Sequence, residues 1–214
     1  GGGARFFPRL VASFDYGLDN VYAALELAEH GSLAAAPYEA AAGDARVRHF
    51  GAQLLRAVAT LHRLGICHRD IRPSNILLRC RRALGDGDSE GPRDQLLRCD
   101  IRIANFGRAC RVQRTRMTDG QKPVLRKGAA EAYAYAAPEM RQHASAREHG
   151  NSNVSFTRSV DLWSTGAVLY FLATGQAPDV GAPVKDAARS NDERRRGSWG
   201  FGVLALTEVL PMAE

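Results

Sequence analysis

His68-Arg69-Asp70-Ile71-Arg72-Pro73-Ser74-Asn75, running into Ile76, Leu77 and Leu78, is the stretch from which the rest of the chain can be read. It sets two guanidinium groups around a lone carboxylate, then a rigid proline turn, then a carboxamide. A loop that handles phosphate, a metal ion and a hydroxyl proton needs that set of groups. The plain alternative is a polar turn between a helix and a strand, since Pro-Ser-Asn is ordinary turn chemistry. Just upstream, Phe50, Leu54, Leu55, Val58 and Leu61 recur at helical spacing, which predicts a helix over Arg48 to Leu64 closed by Gly65 as a C-cap.

Three more segments follow in order. Asp100 to Ala104 alternates polar and apolar residues like a strand and leads into Asn105-Phe106-Gly107. Ala130 to Glu139 closes on Ala137-Pro138-Glu139, and Asp161-Leu162-Trp163-Ser164-Thr165-Gly166 opens a helix, over Leu162 to Leu172, apolar enough all round to be enclosed by protein. Together with the first stretch, these segments resemble the catalytic domain of protein kinases, and Pro73-Ser74-Asn75 resembles the serine/threonine branch.

The resemblance implies an α+β fold: mainly the helical C-lobe, over 34–180, with a two-strand N-lobe remnant over 1–33 and a polar linker with a short apolar segment over 181–214. It also implies site roles. Asp70 accepts the proton of a substrate hydroxyl, Arg72 neutralises the moving phosphoryl group, and Asn75 holds magnesium. Asn105 stands at the second metal position, where the family has aspartate. His68 and Phe106 are packed structural residues, Asp161 holds the backbone of the catalytic loop, and Glu139 ends the peptide-positioning segment. The cofactors implied are ATP and Mg2+, the substrate or regulated partner a protein.

Further out, Phe6 to Phe14 and Val21 to Leu27 read as two strands around a polar, Gly-containing turn. Glu26 to Leu33 then resembles the kinase hinge. On that resemblance Leu25 guards the back of the adenine pocket, the main chain of Glu26 and Ala28 faces the adenine edge, and Leu77 lies beneath it. Read without the other motifs, the same letters are equally a strand leading into a helix start. Ala34 to Ala45 is a low-complexity run. Arg79 to Arg98, rich in Arg, Gly, Asp and Ser, reads as a surface insertion, because its acids do not match a calcium loop. Arg108 to Lys127 carries seven Lys or Arg against Asp119 alone. At the activation-loop position, phosphorylation of Thr115 or Thr118 would pair with Arg69; a solvated basic loop is the equal alternative.

The chain departs from the pattern in places. Asn105 removes a charge from a metal ligand that a hard cation prefers as carboxylate. Ala132 replaces a threonine expected near the catalytic aspartate. Arg72 replaces a lysine, but only Lys122, Lys127 and Lys185 are lysines among 29 basic residues, so arginine replaces lysine throughout the chain. No Gly-rich phosphate loop, strand lysine or partner-helix glutamate is recognisable before Phe6, nor a C-terminal arginine for Glu139, so weak ATP and magnesium binding is expected.

The net charge of +6 comes with neither zinc-finger spacing nor an aromatic-interleaved basic stripe, which argues against specific nucleic-acid binding. Cys67, Cys80, Cys99 and Cys110 form no Cys-x-x-Cys pair and read as reduced thiols of an intracellular, cytoplasmic protein. Leu162 to Pro178, the longest uncharged stretch, is too short and polar for a membrane span, and no secretory signal opens the sequence. Three readings stay open: a serine/threonine kinase domain of doubtful activity, a pseudokinase that scaffolds or regulates a partner, and a basic surface for anionic partners.

Overall fold

A computed structural model describes residues 4–16, 20–36, 43–80, 96–112, 130–142 and 157–180. Its long helix α1 spans Gly43–Arg63 and is amphipathic, burying Phe50, Leu54, Ala57, Val58 and Leu61 along one stripe. Each of the Phe, Leu and Val side chains among them contributes about 1.5–3 kcal/mol when fully buried. The helix begins five residues before the sequence-based expectation, with Asp44 in its first turn, where the helix dipole favours an acid. It ends at Gly65, whose φ of 71° lets its N–H turn back to the His62 carbonyl at 3.1 Å.

Four short strands place the catalytic stretch. β3 (Ile66–Cys67) leads into His68 and pairs with a later strand, Cys110–Arg111, with Cys67 opposite Cys110. β4 (Ile76–Cys80) pairs antiparallel with β5 (Cys99–Ile103), Ile76 opposite Ile103 and Cys80 opposite Cys99. This second ladder brings the residue before β4, Asn75, beside the residues after β5, and the Ala104 N–H donates to the Asn75 carbonyl at 2.9 Å. The first ladder likewise sets Cys110–Arg111, here β6, against the approach to Asp70. Loop positions far apart in sequence are thus fixed by strand register.

At the amino-terminal side, β1 (Leu10–Tyr16) and β2 (Asn20–Leu25) form an antiparallel ribbon. The first strand starts later than expected: Ala4–Phe6 is a turn of 3-10 helix that buries Phe6, and Pro8 stands between it and the strand. Leu10, Val11, Phe14, Tyr22 and Leu25 are exposed on the ribbon.

Helix α2 (Ala130–Tyr135) and a helical turn over 138–142 lie on α3 (Ser159–Thr174). α3 buries Val160, Asp161, Ser164, Thr165, Ala167, Val168 and Leu172, but Leu162 and Trp163 are exposed, so it is not enclosed all round as expected. α1 and α3 pack against each other at Gly51, where an added Cβ would stand 2.7 Å from Leu169 Cδ2. The core joins Phe50, Leu54 and Val58 of α1 to Ile71, Ile76, Leu78, Ile101 and Ile103, and to Val168 and Leu172 of α3.

The cysteine expectation is corrected in part. Cys80 and Cys99, directly opposite on β4 and β5, are joined in a disulfide, while Cys67 and Cys110 keep their thiols. Sequence spacing hid the pair, because the two strands that align it lie apart in sequence, with the two cysteines 19 residues apart. No helix among the described residues is long and apolar enough to cross a membrane.

Candidate active site

Asp161, fully buried in the first turn of α3, is the fixed point of the candidate site. Its Oδ1 accepts from the Arg69 N–H at 2.8 Å, and its Oδ2 accepts from the His68 N–H and lies the same 2.9 Å from His62 Nε2. Burial pushes the carboxyl pKa up, but these donors, with the Cys67 thiol, outweigh it and hold the group below its ordinary value. The two backbone bonds clamp Arg69 at φ 64°, a left-handed conformation that non-glycine residues adopt at a cost of order 1–3 kcal/mol. His62, Cys67 and Asp161 offer ligand atoms within 4.8 Å of one another, yet Asp161 already uses both oxygens to hold the loop.

With the loop so held, the buried Asp70 carboxylate meets two guanidiniums. Arg72 Nε lies 3.1 Å and Arg108 Nη1 3.5 Å from its Oδ1. Arg72 reaches on to Glu131 of α2, Nη1 to Oε2 at 2.5 Å, and Arg69 Nε donates to the Arg108 carbonyl at 2.5 Å. Beneath them, the His68 ring sits edge-on to Phe106 with centroids 4.8 Å apart, and Phe106 in turn meets Phe7 at 5.9 Å. His68 Nδ1 accepts from the Asp70 N–H at 3.3 Å, which leaves Nε2 to carry the proton toward the Ala104 carbonyl at 3.1 Å.

Asn75 and Asn105 complete the cluster. Asn75 Nδ2 donates to the Asp70 carbonyl at 2.8 Å, so its Oδ1 is the atom turned outward, and it accepts from Asn105 Nδ2 at 3.1 Å. Asn105 holds φ 65°, a conformation asparagine tolerates better than most residues. Asp70, Asn75 and Asn105 therefore come together in one place. Two carboxamides bonded to each other do not fit a hard divalent cation, which prefers carboxylate oxygens.

The other sequence-derived residues lie apart from this cluster. Leu25 is exposed and pairs with Leu10 across the ribbon. The Glu26 N–H donates to the Arg9 carbonyl, and its carboxylate lies 3.5 Å from Arg102 Nε and 3.8 Å from Arg79 Nη1. The Ala28 carbonyl accepts from Gly31, and Leu77 bridges to Ser32. Glu139 is half-buried in the turn at 138–142. Thr115 and Thr118 lie outside the described residues. Three contacts escaped sequence reasoning: Glu131 with Arg72, Arg108 with Asp70, and His62 with Asp161. Glu131 stands next to Ala132, the position singled out for its missing hydroxyl, and that adjacency was the one available signal.

A family model described as "Protein kinase domain" matches residues 9–197. Among curated relatives, the chain is 32% identical over 136 residues to serine/threonine-protein kinase chk-2 of Caenorhabditis elegans, covering 64% of this chain and 22% of that protein. It is 31% identical over 126 residues to mitogen-activated protein kinase spk1 of Schizosaccharomyces pombe, covering 59% and 26%. With CBL-interacting protein kinase 22 of Oryza sativa subsp. japonica the identity is 33% over 182 residues, covering 81% and 34%. The chain thus spans between about a fifth and a third of the length of these relatives.

Proposed function

The chain belongs to the protein kinase domain family, and from that premise we propose that its cleft is a phosphoryl-transfer site of the serine/threonine type, working slowly in this chain. A protein kinase domain implies ATP and Mg2+ use in general and protein substrates. In this reading Asp70 orients the acceptor hydroxyl and takes its proton, Arg72 neutralises the phosphoryl group, and the main chain of Glu26 and Ala28, between Leu25 and Leu77, holds adenine. Asn75 and Asn105 occupy the metal positions, and the hydrogen bond between their carboxamides does not fit a divalent cation there. Phosphorylation at Thr115 or Thr118, read through Arg69, regulates the site.

The observation that carries the reading is the Asp70 carboxylate held between Arg72 and Arg108 on a loop clamped by Asp161. Positioning and charge stabilisation supply most of the catalysis in phosphoryl transfer. A second reading, a pseudokinase that regulates a partner protein, is favoured by the Asn75–Asn105 bond and by Ala132. Transfer of label from ATP to a general protein acceptor decides between them. We expect turnover well below about 1 per second, the low end for kinases, on serine and threonine, and lost in Asp70→Asn. Incorporation indifferent to Asp70 would overturn the first reading; none at all would leave the second.

A further inference from the structure

We infer that this cleft binds the phosphates of a nucleotide without a divalent cation: Asn105 closes the metal position, and the guanidiniums of Arg72 and Arg108 supply the positive charge. The inference rests on the phosphoryl-transfer reading and names how that same site holds its anionic ligand.

Asn75 gives its N–H to the Asp70 carbonyl, so its Oδ1 faces Asn105 as an acceptor and must receive a hydrogen. Asn105 provides one across 3.1 Å. An aspartate at 105 would set oxygen against oxygen at that separation, which is favourable only with a cation or a proton between them. The carboxamide turns the same contact into a hydrogen bond and removes one negative charge from the cleft. To admit a cation, that bond must break and Asn105 must turn its oxygen inward, and the cation would then meet two neutral amides.

The positive charge is already there. Arg108 follows Asn105-Phe106-Gly107 directly, and its position is fixed by the bond from Arg69 Nε to its carbonyl. Arg72 and Arg108 both reach Asp70 Oδ1, within 3.5 Å, so two guanidiniums flank one carboxylate where the transferred phosphoryl group must approach. Arg72 is shared between Asp70 and Glu131 whereas, among the described residues, Arg108 meets Asp70 alone at 3.5 Å, so Arg108 is the less neutralised of the two. A guanidinium presents a fork of donors that matches phosphate oxygens two at a time, and its bonds to phosphate are charge-assisted.

The test uses the 214-residue chain with ATP as the probe, its binding measured by calorimetry in EDTA and in excess magnesium. The expected result is equal affinity in the two, within about threefold, and a loss of about tenfold, or 1.4 kcal/mol, in Arg108→Ala under both conditions. Asn105→Asp is expected to bind more weakly in EDTA and to recover with magnesium. Wild-type binding that requires magnesium, or is unchanged by Arg108→Ala, overturns the inference and leaves the nucleotide-site reading standing. No binding in either condition overturns both. If Asn105→Asp does not fold, the wild-type comparison and Arg108→Ala decide the matter alone.

Discussion

His68 shows how a single side chain ties stability to pH in this cleft. Burial depresses its pKa below the ordinary value, against the opposing pull of Asp161, the Ala104 carbonyl and Asp70. In the folded chain the ring is neutral, because Nδ1 must stay bare to accept from Asp70. Between the folded and unfolded pKa values the unfolded state binds more protons, so stability rises with pH there. The contribution of His68 is complete above about pH 6.5, the unfolded value, and is lost as pH falls toward the depressed folded one. Melting temperatures from pH 7.5 down to about 5 should fall in wild type and fall less in His68→Phe; parallel curves would count against this. At this scale the letters of Asp70, Asn75 and Asn105 were legible, because each sits in a contiguous motif. Glu131 and Arg108 were not, because their roles depend on contacts with Arg72 and Asp70 across 59 and 38 residues.

At the scale of elements, helices read more truly than strands. The apolar stripe of α1 was visible in its spacing, although its start lay in an alanine-rich run that has no periodicity to read. The two short ladders around the cleft were invisible as pairings, since register between distant strands leaves no local signature; the Cys80–Cys99 match is the clearest case. Packing of α1 on α3 gives a sharper test. Alanine in place of an interior helical glycine ordinarily stabilises by roughly 0.5–1 kcal/mol. At Gly51 the new Cβ would crowd Leu169 at 2.7 Å, so Gly51→Ala should bring no gain and Gly51→Val should cost about 1–3 kcal/mol in denaturant unfolding. In a Leu169→Ala background the crowding is relieved, and Gly51→Ala should then stabilise. Equal effects of Gly51→Ala in both backgrounds would contradict the packing account.

For the molecule as a whole, the disulfide is the feature that composition misjudged. It closes a span of 19 residues between β4 and β5, and a loop of that size is worth about 3 kcal/mol by the chain-entropy argument. Reduction should lower the unfolding free energy by about 2–4 kcal/mol, Cys80→Ser should match the reduced protein, and reductant should not move the variant. A wild type unaffected by reductant would contradict the bond. Disulfides are rare in reducing compartments, so the bond weighs against the cytoplasmic location expected from reading the cysteines as reduced thiols. The fold was legible because four motifs kept their order along the chain. What the cleft does with metal was not, because it turns on how two amides face each other. The most direct test of that central point is the rate of phosphate transfer to a protein acceptor against magnesium concentration, in wild type and in Asn105→Asp, Ala132→Thr and Arg72→Lys. The account predicts a slow rate almost independent of magnesium in wild type, and a faster, magnesium-dependent rate in Asn105→Asp that exceeds the gain in either other variant; the same magnesium dependence in wild type and Asn105→Asp would contradict it.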